Sequence, residues 1–334
     1  MKNKVFYLIA ITLSVFFFLG CEEEKYTNQL GNLVPKTVDQ NISLPSISVN
    51  GTQLHAEAFG NPNDPMVIFL HGGPGSDYRS SLNAKELADD GYYVIFYDQR
   101  GSGLSKRHNQ NSYSIQLVLD DLTEVIAHYR TSNAQKVFLF GHSWGAMLAT
   151  AYVNTYPTFI NGVILAEPGG LNKKLLDEYG ESSRKLNLFS EATSDLFYMD
   201  QFLTGKENEH EILDYKMGIS TSFSYAKGNE EGIEGPSPFW RMGTAVLNRF
   251  IDIAENDGFD FTTNLDQYPT KVLFLYGEKN KSYGLHFAQK EAAFFPNSEI
   301  AEVKGTGHEM IYFKWENVHP IVLNYLNDLK ITGQ

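Results

Sequence analysis

The chain has 334 residues, of which 42% are hydrophobic, and a formal net charge of −13. This length suits one large α/β domain or one domain with an insertion, and the composition is not that of a disordered chain. The negative charge argues against a nucleic-acid partner, because proteins that bind nucleic acids present basic faces.

The N-terminus has the pattern of a secretory signal. Lys2 and Lys4 precede an apolar run over residues 5–20, which is short for a membrane span and predicts a signal peptide over residues 1–20. Cys21 is the only cysteine, so no intrachain disulfide is possible. The sequence FLGC that ends at Cys21 resembles a bacterial lipoprotein cleavage box, in which the cysteine is lipidated. The resemblance implies a lipid anchor in the bacterial cell envelope; an ordinary signal peptide with an incidental cysteine is the alternative.

Residues 21–45 are expected to be a polar tether, and the strands begin after them. Two alternating runs around Asn50-Gly51 predict a hairpin over residues 46–59. The continuous apolar runs at 66–71 and 92–98 are typical of strands that are buried on both faces of a parallel sheet.

Strands and helical patterns then alternate along the chain. Further strands are expected at 136–140, 161–170, 271–277 and 299–305, and helices at 78–90, 113–130, 146–157, 284–294 and 316–330. This alternation predicts an α/β fold with a mostly parallel, doubly wound sheet.

The alternation is interrupted once. Residues 171–270 are polar, aromatic and mostly helical in pattern, which predicts a helical cap inserted into a core of residues 46–170 and 271–334. A separate second domain is the alternative for this segment. Active sites in such sheets form at the carboxyl ends of the strands.

The sharpest local signal is Gly141-x-Ser143-x-Gly145, which lies between a predicted strand and a predicted helix. That context is the one in which a nucleophile elbow forms, with a serine exposed on a strained turn. A Cβ atom at position 141 or 145 is expected to clash. Ser143 is therefore the predicted nucleophile.

A serine hydroxyl needs a base to take its proton, and His308 is the candidate. It lies in a glycine-rich loop after the last predicted strand, and the order of serine before histidine fits this fold. The backbone N–H groups of Gly73 and Trp144 are expected to form the oxyanion hole.

Four motifs now occur in order: HGGPG (71–75), DQRGSGLS (98–105), GHSWG (141–145) and GTGH (305–308). Together they resemble the proline iminopeptidase branch of the α/β-hydrolase family. The resemblance implies a serine hydrolase without metal or organic cofactor, which removes an N-terminal residue, often proline, from a short peptide or similar small molecule. Arg100 is expected to tie loops together rather than to perform chemistry.

The cap departs from this branch, in which glutamates beside a tryptophan-rich motif hold the free amine of the substrate. Residues 171–270 contain one tryptophan, Trp240, with Glu231 and Glu234 nearby. These three residues are the candidates for substrate binding. Solvation at the surface is the simpler interpretation of each glutamate.

The catalytic acid is also displaced, because Asn280 stands where the resemblance implies an aspartate. An asparagine cannot supply the charge that stabilises an imidazolium, and in a Ser-His-Asp triad this replacement lowers turnover about ten-thousandfold. Glu167 is the favoured acid, since it follows the preceding strand, where pancreatic-type lipases carry theirs. Glu278 and a site without an acid are the alternatives, and Glu167 would otherwise pair with Arg241 or bind substrate.

Two further functions stay open. The first is an esterase or another amide or lactone hydrolase, because the cap that decides the substrate is not readable at this level. The second is a catalytically silent surface lipoprotein that binds a peptide or a partner protein, which only Asn280 supports. The oligomeric state does not follow from the sequence.

Overall fold

A computed structural model describes residues 33–183, 208–222 and 230–331 of the protein. The predicted signal peptide, Cys21 and most of the predicted tether lie outside these residues. Within the described ranges, none of the helices is both long enough and apolar enough to cross a membrane.

Eight strands form one sheet in the order β1-β2-β4-β3-β5-β6-β7-β8 within the described residues. They are β1 (Ser46–Val49), β2 (Thr52–Phe59), β3 (Met66–Leu70), β4 (Tyr93–Tyr97), β5 (Val137–His142), β6 (Gly162–Ala166), β7 (Val272–Gly277) and β8 (Ser298–Val303). The β1–β2 and β2–β4 pairs are antiparallel, and all other neighbours are parallel. The predicted α/β class with a mostly parallel sheet is confirmed.

The predicted hairpin is present. Val49 pairs with Thr52 across a two-residue turn, in which Asn50 and Gly51 have φ values of 40° and 73°. Positive φ at both central positions is what this short hairpin turn requires, and Asn-Gly supplies it with little strain.

The helices follow the predicted alternation. They are α1 (Ile115–Tyr129), α2 (Trp144–Thr155), α3 (Lys173–Ser182), α4 (Glu209–Ser222), α5 (Thr244–Asp252), α6 (Gly284–Ala292), α7 (Met310–Phe313) and α8 (Trp315–Ile331). The helix predicted at 78–90 is a 3₁₀ helix, Arg79–Ala88, rather than an α-helix. Shorter helical turns occur at Gln110–Ser112, Ile253–Asp257 and Leu265–Gln267.

The core lies on both faces of the sheet. Alternate residues of β3 point to opposite sides, where Met66 and Ile68 pack in a cluster with α1 and α2. Val67 and Phe69 pack in a second cluster with the 3₁₀ helix and α8. Because both faces are covered, the central strands are apolar along their whole length.

The segment between β6 and β7 includes α3, α4 and α5. Backbone bonds attach it beside the loop that follows β3: the N–H of Gly243 donates to the carbonyl of Gly75 at 2.6 Å, and the N–H of Trp240 donates to Asp77 Oδ2 at 2.6 Å. A buried ion pair, Arg241 Nε to Asp214 Oδ2 at 2.7 Å, lies inside the segment. The boundaries between core and cap stay a prediction.

Candidate active site

Five loops meet at one edge of the sheet. The turn after β3 carries Gly73, the turn after β5 carries Ser143, and the turns after β6, β7 and β8 carry Glu167, Asn280 and His308. These strands are parallel neighbours, so their carboxyl ends lie side by side. The sheet order therefore gathers residues that are far apart in the sequence.

Ser143 sits on a strained turn, with φ 53° and ψ −120°. A Cβ atom on Gly141 would lie 2.3 Å from the carbonyl oxygen of Gly145, and one on Gly145 would lie 1.9 Å from that of Leu70. The predicted clash at both glycines is confirmed. Strain of this kind in a non-glycine residue is a mark of functional sites.

Trp144 and Gly73 are the two residues predicted to supply oxyanion donors. Trp144 is the first residue of α2, whose N-terminal N–H groups favour negative charge. The indole of Trp144 is used elsewhere, since its Nε1–H donates to Gln99 Oε1 at 2.9 Å. Gly73 lines the cavity described below and has φ 122°, a conformation that favours glycine.

The loop that carries Gly73 is held by His71. The ring Nε2 accepts the backbone N–H of Gln99 at 2.9 Å, and Nδ1–H donates to the carbonyl of Gly72 at 2.8 Å. This pattern defines a neutral ring, and burial lowers the pKa of His71 accordingly. His71 therefore shapes the backbone of this loop.

Arg100 also serves the scaffold. Its guanidinium donates two bonds to Asp121, at 2.7 and 2.6 Å, and one to the carbonyl of Asn50 at 3.1 Å. The expectation that Arg100 ties loops together is confirmed.

Glu167 is fully buried and accepts three hydrogen bonds. Its Oε1 receives the N–H of Gly277 at 2.7 Å, and its Oε2 receives Nδ2 of Asn280 at 2.8 Å and Nδ1 of His308 at 2.7 Å. A buried carboxylate needs such donors to stay ionised. The alternative that Glu167 pairs with Arg241 is wrong, because Arg241 pairs with Asp214.

His308 is 4% exposed. Burial acts to lower its pKa, but the hydrogen bond and charge of Glu167, with the charges of Glu231 and Glu309, outweigh burial and raise the pKa to about 9. Because Nδ1–H donates to Glu167, the ring nitrogen Nε2 is the one left to exchange a proton with a reacting group.

His142 supports His308 from the side. Its Nε2–H donates to the backbone carbonyl of His308 at 2.8 Å, and the two ring centroids are 4.7 Å apart. Burial and the neighbouring His308 lower the pKa of His142, which keeps it neutral.

Glu278 and Asn280, the two residues after β7 that were considered for the position of the acid, form no hydrogen bond with His308 in the structure. Glu278 turns outward, where its Oε2 accepts the N–H of Gly305 at 2.8 Å and its Oε1 lies 3.5 Å from Lys304. Asn280 donates to Glu167, as given above, and its Oδ1 accepts the N–H of Tyr283 at 3.0 Å. Glu167 is the carboxylate that the structure brings to His308.

A cavity of about 250 Å³ opens in front of Ser143 and His308. Its apolar wall consists of Pro74, Ile233, Pro236, Pro238, Phe239, Met242 and Leu247. Among the described residues, Glu309 is the one carboxylate that lines it. The described residues also contain no group of three or more metal-ligating side chains arranged to hold a metal ion.

The three predicted substrate-binding residues do not line this cavity, which corrects the expectation from the sequence. Glu231 is buried and accepts the hydroxyl of Tyr179 at 2.6 Å. Glu234 pairs with Lys279 at 2.6 Å. Trp240 packs edge-on against Tyr78, with ring centroids 4.9 Å apart.

Sequence reasoning overlooked Glu309, although it directly follows His308. It also treated Asn280 only as a failed acid and did not foresee its bond to Glu167. Proximity in sequence to the predicted base was the available signal for Glu309. No local signal pointed to the bond between Asn280 and Glu167.

The chain is similar in sequence and in fold to known hydrolases. The family described as "Serine aminopeptidase, S33" matches residues 61–199. A proline iminopeptidase of Thermoplasma volcanium is 28% identical over 301 residues, which covers 84% of this chain and 95% of that protein. The Bacillus subtilis "AB hydrolase superfamily protein YfhM" is 24% identical over 291 residues, covering 84% and 97%. The crystal structure of a Mycobacterium smegmatis proline iminopeptidase shares the fold, with a TM-score of 0.60, 17% identity and coverage of 87% and 99%.

Proposed function

We propose that this chain, whose sequence is similar to proline iminopeptidases and whose fold is that of an α/β-hydrolase, hydrolyses its substrate through an acyl-enzyme on Ser143. His308 is the base and Glu167 the acid in this proposal. The observation that carries it is the 2.7 Å contact between His308 Nδ1 and Glu167 Oε2, beside a cavity that Ser143 and His308 both line.

The proposed reaction has two halves. Ser143 Oγ attacks the substrate carbonyl while His308 Nε2 takes its proton, and Glu167 holds the tautomer and stabilises the imidazolium. The N–H groups of Gly73 and Trp144 meet the oxyanion. His308 then protonates the leaving amine. In the second half it activates a water that hydrolyses the ester on Ser143.

We further propose that the substrate carries a free N-terminal amine, as for an aminopeptidase that releases proline or a similar residue. The cavity is small and mostly apolar, and the carboxylate at its wall belongs to Glu309. No described residue forms a hydrogen bond or ion pair with that carboxylate. An ammonium group held in such a cavity requires a nearby anion, which Glu309 supplies.

The test compares chromogenic amides of proline, alanine and leucine with their N-acetylated forms and with short acyl esters. We expect turnover of the free amines, none of the acetylated amides, and no activity in Ser143→Ala. Ester turnover without amide turnover would replace the aminopeptidase with an esterase. Equal turnover of acetylated and free amides would remove the amine requirement.

Glu309→Gln tests the amine site itself. The substitution removes one charge and keeps the size, so KM for free-amine substrates should rise about tenfold or more, the effect of losing a hydrogen bond to a charged group. The kcat for a neutral ester should change much less, because Glu309 acts on His308 only through its charge, which is the last of the causes that raise the His308 pKa. An equal loss on both substrate classes would contradict a role in amine binding.

We also propose that Cys21 is lipidated and anchors the protein in the bacterial cell envelope, which the FLGC sequence supports. Cells that express the protein and grow on a clickable palmitate analogue should label the wild type and not Cys21→Ser. Equal labelling of both, or of neither, would contradict the anchor.

A further inference from the structure

Asn280 has a fixed orientation next to Glu167. The side chain is 2% exposed, and its Oδ1 accepts the N–H of Tyr283 at 3.0 Å. Its Nδ2 donates to Glu167 Oε2 at 2.8 Å. Rotating the amide by half a turn would set Nδ2 against the Tyr283 N–H and Oδ1 against a carboxylate. The backbone therefore dictates that position 280 presents a donor to Glu167.

The orientation of the Glu167 carboxylate is also fixed by a backbone N–H group. The Gly277 N–H holds Oε1 at 2.7 Å, which leaves Oε2 to receive both Asn280 and His308. The hydrogen bonds thus run in one direction, from the Tyr283 N–H to Asn280 and from Asn280 to Glu167. A neutral donor at 280 favours the ionised form of the carboxylate.

We propose that Asn280 is a positioning residue, which holds Glu167 aligned with His308, and that the site requires an amide there instead of an acid. This inference rests on the proposed function, in which Glu167 is the catalytic acid. It predicts that Asn280→Asp, which introduces the residue implied by the family resemblance, damages the enzyme.

The reason is a conflict of charges. An aspartate at 280 would keep the bond from Tyr283 and place its other oxygen against Glu167 Oε2, where the amide nitrogen now lies at 2.8 Å. Two carboxylates at such a distance cannot both ionise, so the pair must hold a proton at neutral pH. The amide of Asn280 avoids this conflict, so the substitution should cost stability.

A double-mutant cycle tests the direction of the hydrogen bond from Asn280 to Glu167, with Tm at pH 7 as the readout. Asn280→Asp should lower Tm by about 5 °C. Glu167→Gln should also lower it, because Gly277 holds the amide oxygen and the amide nitrogen then faces Asn280 Nδ2, donor against donor. In the double variant both conflicts are absent, since the new aspartate accepts a hydrogen bond from the new glutamine. Asn280→Asp should therefore raise Tm in the Glu167→Gln background. The same sign in both backgrounds would overturn the inference.

The second readout is the rate of serine modification by a fluorophosphonate, which needs no knowledge of the natural substrate. Asn280→Asp and Asn280→Ala should each slow it about tenfold or more, the effect of losing a hydrogen bond to a charged group. In the Glu167→Gln background, Asn280→Ala should cause no further loss, because a residue that acts through Glu167 has nothing left to position. The inference would be overturned if the losses of the two single variants multiplied in the double variant, or if serine modification were faster in Asn280→Asp than in the wild type.

Asn154→Ala is the matched control. Asn154 is also a buried amide whose Oδ1 accepts a backbone N–H, that of Asn264 at 2.7 Å, but it lies near the far end of α2. It should lower Tm without slowing the modification. If Glu167→Gln reacts as fast as the wild type, the assignment of the acid fails and the inference fails with it. If Glu167→Gln is modified slowly but Asn280→Ala slows the modification further in that background, the positioning role of Asn280 fails while Glu167 stays the acid.

Discussion

Replacing Glu167 with glutamine should remove most of the catalytic activity, although the new side chain has nearly the same size and shape. The Gly277 N–H, 2.7 Å from Oε1, holds the oxygen of the new amide in place. The amide nitrogen must then face His308 Nδ1, where Oε2 now accepts at 2.7 Å. A donor at that point favours the imidazole tautomer that carries its proton on Nε2, and this tautomer cannot take a proton from Ser143.

The magnitude follows from the pKa of His308. Burial lowers this pKa and the Glu167 bond and charge raise it, with a balance at about 9. Without Glu167, burial dominates and the pKa should fall below the ordinary value of about 6.5. A fall of the His308 pKa from about 9 to about 6.5 corresponds to roughly 3 kcal/mol of lost imidazolium stabilisation, or several hundredfold in rate. Because the imidazole also has the wrong tautomer, we expect kcat/KM to fall about 10³- to 10⁴-fold.

The assay is the pH dependence of kcat/KM on a short ester, from pH 5 to 10. In the proposed mechanism deprotonated His308 is the base, so wild-type activity should rise with pH and level off only near the raised pKa. In Glu167→Gln the residual activity should level off at lower pH. Glu278→Gln is the control, because that carboxylate points to Gly305 and Lys304 instead of His308. A Glu167→Gln variant that keeps a tenth of the activity, or an unshifted profile, would contradict the role of Glu167 as the acid.

Two further predictions concern stability. Gly145→Ala should cost about 3 kcal/mol and abolish activity, because its Cβ would lie 1.9 Å from the Leu70 carbonyl, whereas Gly180→Ala in an open position of α3 should be neutral or stabilising. Chemical denaturation measures both, and equal effects would contradict the steric argument. Arg241→Met should cost about 2 kcal/mol, since it breaks one of the two buried ion pairs of Asp214 and leaves the other, with Arg107 at 2.9 Å. An unchanged midpoint of unfolding would show that the pair contributes nothing.

The sheet and the elbow were predictable because their signals are local. Asn50-Gly51 specifies its own turn, and the Gly-x-Ser-x-Gly pattern around Ser143 carries the steric requirement within five residues. Glu167 could be proposed because a carboxylate that directly follows a buried strand needs a partner at the same sheet edge.

The substrate cavity was not predictable, because it depends on contacts between distant segments. Glu231 and Glu234 looked equivalent in the sequence, yet one is buried against Tyr179 and the other pairs with Lys279. Which carboxylate reaches the cavity is decided by how the segment between β6 and β7 packs on the loops of the core. Glu309 reaches it from the core side, next to His308.

Covalent modification by a fluorophosphonate, followed by peptide mass spectrometry, tests most directly whether Ser143 is the nucleophile. Ser143 Oγ would attack phosphorus, fluoride would leave, and His308 would take the serine proton. We expect one adduct per chain, on Ser143, absent from Ser143→Ala and formed far more slowly in His308→Ala. A folded protein that forms no adduct, or that is labelled as fast after Ser143→Ala, would contradict this role of Ser143.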